Sequence, residues 1–263
     1  MQNCLGIYIE NNLIKYAKVS KDRDTFKVDA FGIRFFDNLN EAIKKIVEET
    51  YSFTTPISIN LANEQYLYYD IFALLSKNDI QKTVETEFET FCDENKYNQK
   101  AFETRYALVS NVQNKERIKA IQVIVNKIEL NKQKQYLEKH NLSGILPIGT
   151  AIASITRFEK KENVLIVNME EKTTITTIYD RQIYNVETID HGSQEVLEKI
   201  NRTENSMSKA YEICKGTTIY TANVIDDAKE QPHLEDIIPT LYQISQKIKE
   251  IVGESPVKIS TVY

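Results

Sequence analysis

Two short stretches carry the residues whose types and spacing could do chemistry. The first is Leu5-Gly6-Ile7-Tyr8-Ile9-Glu10-Asn11-Asn12-Leu13-Ile14-Lys15, and the second runs from Leu165 through Glu170-Glu171-Lys172 to Thr173-Thr174-Ile175. Each reads as an apolar strand, a tight turn and a second strand, and a shift of 160 residues lays Leu165 on Leu5 and Glu170 on Glu10. A turn between strands can hold phosphate when glycines let backbone amides approach the oxygens. A neighbouring carboxylate can then hold hydrated Mg²⁺. These two turns carry glutamate where the chain leaves the strand, so their chemistry is altered from the start. The repeat itself suggests two lobes of similar topology.

The other reactive side chains are scattered. Cys4, Cys92 and Cys214 are odd in number and outside any CxxC pair, and His140, His191 and His233 lie far apart. That spacing speaks against a disulfide framework or a zinc site. The 263 residues are 41% hydrophobic and 27% charged with a net charge of −5. This is the balance of an ordinary globular chain, large enough for two modest cores. An acidic balance argues against a nucleic-acid partner, which asks for a basic face; the Lys127–Lys134 cluster reads as a solvated helix face. No run reaches the ~18 apolar residues of a membrane span, and the N-terminus lacks signal-peptide regions. The expected location is therefore the cytoplasm, without direct membrane insertion.

The elements that would position the two turns follow from periodicity. Strands are expected at Cys4–Ile9, Leu13–Val19 and Thr25–Phe35, as a meander whose first turn uses Asn11 and Asn12. A helix follows, with Asn38 and Glu41 at capping-box spacing and Ala42, Ile43, Ile46 and Val47 as its stripe. Ile57–Leu61 and Gln65–Phe72 read as strands. Ser76 and Asp79 can cap a helix with the stripe Ile80, Val84, Phe88 and Phe91. Strands near Phe102–Val109 and Ile118–Val125 and a helix around Lys127–Lys139, stopped at Asn141–Gly144, complete a compact block. A short strand and a helix at Thr150–Phe158 lead to the charged Glu159–Glu162 stretch. The second half repeats the meander at Val164–Met169, Thr173–Tyr179 and Gln182–Ile189. Helices at Gly192–Ile200, Ser206–Lys215 and Leu234–Val252 follow, and a strand begins at Val257–Tyr263.

In order and spacing these stretches resemble the PilM family of type IV pilus assembly proteins, relatives of the division protein FtsA in the actin superfamily. Leu5–Lys15 is similar to that family's first phosphate turn, Leu165–Ile175 to its second, and Tyr211–Gly216 to a helix end near its nucleotide. Asp79–Phe91 and Pro147–Ile155 resemble the helices that open the family's inserted subdomain and lead back to the core. The resemblance implies an α/β, actin-like (ribonuclease H-like) two-lobed fold. The first lobe would span 1–158, with an inserted small α+β subdomain at about 76–146. The second would span 159–263, apparently truncated at its C-terminal end.

Against the family pattern, Tyr8 and Asn168 stand at the two aspartate positions and Glu10 and Glu170 at two glycine positions. A carboxylate facing a phosphate is a like-charge clash of roughly 4 kcal/mol at 4 Å and an effective dielectric near 20. The resemblance leaves Asn11, Asn12, Lys15, Thr173, Thr174, Glu212 and Lys215 as candidate contacts for ATP, with no retained ligand for Mg²⁺. Readings as a surface lysine, an i,i+3 ion pair and strand-filling threonines rank ahead of nucleotide contact.

The implied function is a non-enzymatic scaffold that holds the cytoplasmic tail of a PilN-like membrane protein beside other pilus components, with self-association open. The tail would lie in a groove between core and subdomain, with Tyr66–Phe72 bordering the junction. That stretch reads first as a buried strand with tyrosines on its wet face. The alternatives are an ATP-binding, polymerising protein of the FtsA kind and, behind it, a sugar kinase.

Overall fold

Asn11 sits in the left-handed region at φ 33°, and that turn folds β1 (Gln2–Glu10) back onto β2 (Leu13–Asp22) with Glu10 opposite Leu13. Asparagine tolerates this backbone better than most residues. The computed structural model describes residues 2–23, 25–155, 162–217 and 233–263. β3 (Thr25–Phe35) pairs with β2, and α1 (Leu39–Glu49) follows. The Asn38 side chain accepts from the Glu41 amide, as the capping spacing asked. Ala42, Ile43, Ile46 and Val47 of α1 are at most 4% exposed, packed on Leu5, Ile7 and Ile14 of the sheet.

The first sheet is completed by β4 (Ile57–Asn60) and β8 (Leu142–Leu146), both parallel, in the order β3-β2-β1-β4-β8. Between them the chain builds a second, three-stranded sheet in the order β5-β7-β6. Its strands are β5 (Gln65–Phe72), β6 (Phe102–Ser110) and β7 (Arg117–Asn126), and α2 (Lys77–Glu94) packs on one face through Ile80, Val84 and Phe88.

The inserted sheet therefore includes Gln65–Phe72, which the reading of 76–146 left outside. That reading also enclosed α3 (Lys127–Tyr136) and β8, which belong elsewhere. Leu137 and Tyr136 pack in the first-lobe core, and β8 pairs with β4. Strand pairing is non-local, so nothing in a strand's own pattern names its partner.

α4 (Ile148–Ile155) crosses to the second lobe, where Ile152 and Ala153 pack on Val164, Ile166 and Ile178. The expected continuation of this helix to 158, the lobe boundary at 158/159 and the charges at 159–161 lie outside the described residues.

β9 (Val164–Met169), β10 (Thr173–Tyr179) and β11 (Gln182–Ile189) repeat the opening meander. β12 (Thr261–Val262) adds in parallel to β9, giving the order β11-β10-β9-β12. This is the order of the first four strands of the first sheet, so the repeat read in sequence is a repeat of topology. Helices α5 (Ser193–Glu204), α6 (Met207–Gly216) and α7 (Leu234–Glu254) flank the second sheet. Ile251 of α7 reaches Leu165 and Ile175, while α5, α6 and the start of α7 pack on one another. Among the described residues no helix is long and apolar enough to cross a membrane.

Candidate functional site

The two repeated turns meet at the lobe junction. Lys15 on β2 makes an ion pair with Glu170, in the turn between β9 and β10, so one contact joins elements 155 residues apart. Glu10, at the end of β1, is 4% exposed. Its Oε1 is buried without a hydrogen-bond partner. Burial and then the Glu170 charge push the Glu10 carboxyl up to about 8, with Lys15 opposing. Tyr8 lies beside them, with Lys15 Nζ 5.9 Å from its ring centre. Burial, followed by the charges of Glu10, Glu170, Glu171 and Glu64, raises its phenol far above the ordinary range.

Glu64 is a contributor that the sequence did not announce. It receives the Ile148 amide at 2.8 Å and the Tyr66 hydroxyl at 2.7 Å, which ties the first amide of α4 to a carboxylate. Burial raises its carboxyl and these hydrogen bonds pull the other way.

The second turn has its own use for the start of α5. Glu170 O accepts from the Gln194 amide at 3.3 Å and the Ser193 hydroxyl at 3.3 Å. A helix N-terminus is a natural place for an anion; here a backbone carbonyl takes it. Gly192 permits the close approach, since a Cβ there would lie 2.1 Å from Glu170 O.

The predicted contacts separate into two groups. Lys15 is at the junction, and Asn12 beside it has a buried Oδ1 without a partner while its carbonyl receives the Phe36 amide. Asn11 supplies the turn's left-handed backbone. Thr173 and Thr174 are buried on β10, the former donating to His191 O at 2.7 Å. Glu212 and Lys215 stand apart, as a 3.8 Å pair with side chains 66% and 67% exposed. α6 instead turns Tyr211 and Cys214 toward a cavity of about 360 Å³ that Lys15, Leu13, Met169 and Leu197 also line. Among the described residues no three acidic, thiol or imidazole groups converge as a metal site.

A larger groove, about 1200 Å³, opens where the inserted sheet, the first lobe and β11 come together. Its floor is the face of the inserted sheet that α2 leaves bare: Ile121, Val123 and Val125, with Ala107 and Val109 beside them. Leu61, Ile145 and Ala153 form one wall, and Ile178 and Ile183 another.

β6 is an edge strand of its sheet. The Ser110 amide turns away from β7 to donate to Gln182 Oε1 at 3.0 Å. Backbone groups alternate sides in an antiparallel strand, so Thr104, Tyr106 and Leu108 also direct their N–H and C=O to the free edge. The groove thus combines apolar pockets with a strand edge that, among the described residues, no other strand pairs.

The Tyr66–Phe72 stretch lies on the opposite edge of that sheet and does different work. Tyr68 Oη accepts the Val186 amide at 2.8 Å and donates to the Val186 carbonyl at 2.6 Å, fastening the insertion to β11. Lys119 lies 4.8 Å from the Tyr68 ring centre and 4.1 Å from that of Tyr184, and burial lowers its ammonium.

No protein-family model and no curated protein matches the sequence significantly. Solved structures do match. A structure of the PilM–PilN type IV pilus biogenesis complex aligns over 95% of this chain and 76% of its own, at 14% identity and a TM-score of 0.69. The chain has the actin-like two-lobed fold. The ethanolamine utilization protein EutJ of Carboxydothermus hydrogenoformans aligns over 99% of this chain and 76% of its own, at 9% identity and a TM-score of 0.50. A Bacteroides thetaiotaomicron protein described as having an actin-like ATPase fold aligns over 100% and 91%, at 9% identity and a TM-score of 0.43. The fold expected from the repeated turns is the fold observed, and it is PilM-like.

Proposed function

We propose that this chain is a non-enzymatic scaffold of type IV pilus assembly, cytoplasmic and recruited to the membrane by the tail of a PilN-like protein. The observation that carries the reading is the groove beside β6. An extended peptide can add a strand along Thr104, Tyr106 and Leu108 while its alternate side chains enter the apolar floor. The likeness in fold to a chain from a PilM–PilN complex supports a PilN-like occupant.

The junction chemistry supports a scaffold that works without nucleotide. The lysine left to meet a phosphate is already paired with Glu170, and a buried carboxyl stands beside it. A triphosphate would have to displace that pair and face two glutamates. In this reading Asn11, Asn12, Thr173 and Thr174 shape the turns, and Glu212 and Lys215 serve as a surface ion pair.

The test is fluorescence anisotropy with a labelled PilN-like N-terminal peptide against the intact chain. Saturable binding is expected, with loss on Val123→Arg, a change at the groove floor that leaves the α2 face untouched. No binding up to high micromolar peptide overturns the reading. A companion melt with millimolar MgATP should be flat. A rise approaching the roughly 2.7 kcal/mol that accompanies a hundredfold excess over the dissociation constant would favour an ATP-binding, FtsA-like protein.

A further inference from the structure

β3 is the edge of the first sheet farthest from β8. It runs from Thr25 to Phe35 without a proline, and no other strand among the described residues pairs with its outer side. Phe26, Val28, Phe31 and Ile33 are 62%, 56%, 80% and 41% exposed. A long, apolar, uncovered edge is a template for another strand. We propose that two copies of this chain join along β3, antiparallel about a two-fold axis between Asp29 and Ala30, so that their first-lobe sheets become one.

The placement of the four side chains carries the argument. Arg34 reaches Glu49 of α1, and Lys18, opposite Ala30, reaches the Thr50 carbonyl at the end of α1. Side chains alternate, so Phe31 and Ile33 stand on the other face, where Phe35 meets Tyr211 edge-on. Asp29 is an extra residue in the pairing with β2, so Val28, opposite Val19, and Phe26, opposite Lys21, return to that same face. The backbone follows the same alternation. The Phe36 amide donates to Asn12 O at 2.9 Å, which turns Arg34 and Gly32 toward β2 and Ile33 and Phe31 toward the free edge. The bulge carries that outward direction on to Val28 and Phe26.

These directions suit a second copy of the same strand. About the dyad, Val28 of each copy lies opposite Phe31 of the other, and Phe26 opposite Ile33. Every such pair keeps its apolar side chains on one face and its backbone groups toward each other, the self-complementarity a two-fold interface requires. A slip of one residue would set Val28 opposite Ala30, whose side chain and backbone turn the other way. The two Asp29 side chains approach at the dyad, each with Lys27 Nζ 3.2 Å from its Oδ1 to offset the charge. At the usual size of such side chains the exposed fractions leave roughly 450 Å² per copy, so two copies cover about 900 Å². The strand edges bring the total to about 1,200 Å², where specific interfaces begin.

Sedimentation equilibrium of the intact chain from about 5 to about 500 μM should show a reversible monomer–dimer equilibrium. Phe31→Lys, at a largely exposed side chain, should leave the fold intact and weaken the dimer about tenfold or more. Hydrogen exchange followed by NMR over the same concentrations reads the register. The amides of Phe26, Val28, Phe31 and Ile33 should slow as concentration rises, while those of Gly32 and Arg34, directed at β2 in either state, should not change. A monomer at every concentration, a dimer indifferent to Phe31→Lys, or edge amides indifferent to concentration overturns the proposal. The groove beside β6 lies outside this surface, so peptide binding can succeed or fail without touching this result.

Discussion

The hydroxyl of Tyr68 does the work of a short strand. It accepts from the Val186 amide and donates to the Val186 carbonyl, so the outer edge of β11 is closed at that point by a side chain. Tyr68→Phe keeps the ring beneath Lys119 but removes both hydrogen bonds, leaving a partly buried amide and carbonyl unpaired. Leaving such groups unsatisfied costs about 1–3 kcal/mol. Urea denaturation of the variant should show a loss in that range, and a loss within error of zero would mean that water replaces the hydroxyl. Because β11 also walls the groove, the same change should weaken peptide binding beyond its effect on stability. None of this could be read from the Tyr-rich run itself. Alternating tyrosines announce a strand with a polar rim, and the partner lies 118 residues away.

Elements were more legible than their partnerships. β3, β5, β9, β10 and β11 occupy the spans read for them, and Ser76 caps α2 through the Asp79 amide as its spacing asked. The misplaced insertion boundary arose because β5 has the same local pattern whether it pairs with β4 or with β7. The candidate site divides in the same way. Glu10 and Glu170 stood out because they depart from the family pattern and Lys15 because it keeps its place in it, whereas Glu64 joins them only through the fold. The second turn and α5 show how tightly two elements can depend on one residue. Gly192 has extended backbone that any residue can adopt, so its demand is purely spatial. A methyl at Gly192 would drive Glu170 O away from the Ser193 hydroxyl and the Gln194 amide. Gly192→Ala should therefore destabilise the chain by about 1–3 kcal/mol, the usual range for overpacking. Thermal melting checks this, and an unchanged midpoint would show that the turn moves freely.

For the whole molecule, the buried carboxyl links stability to pH with a definite sign. Glu10 titrates near 8 when folded and near its ordinary 4.5 when unfolded, so between those values the native state holds more protons. Stability then falls as pH rises. Its contribution is fully present below about 4.5, declines through the interval and is gone above about 8. Burial raises Glu64 as well, which adds to the same slope. Glu195 acts in the opposite sense: hydrogen bonds from Lys199 and His191 hold its carboxyl at about 2, so its contribution is present above 4.5 and lost toward 2. The two slopes meet between them. Chemical denaturation across pH should give greatest stability near the ordinary carboxylate value, with a decline toward alkali that Glu10→Gln makes shallower. The acid-side decline should be untouched in that variant and reduced in Glu195→Gln. If Glu10→Gln keeps the full alkaline slope, the linkage resides in other groups. The junction would then hold two lobes of an actin-like fold together by packing and hydrogen bonds alone, with no proton to keep.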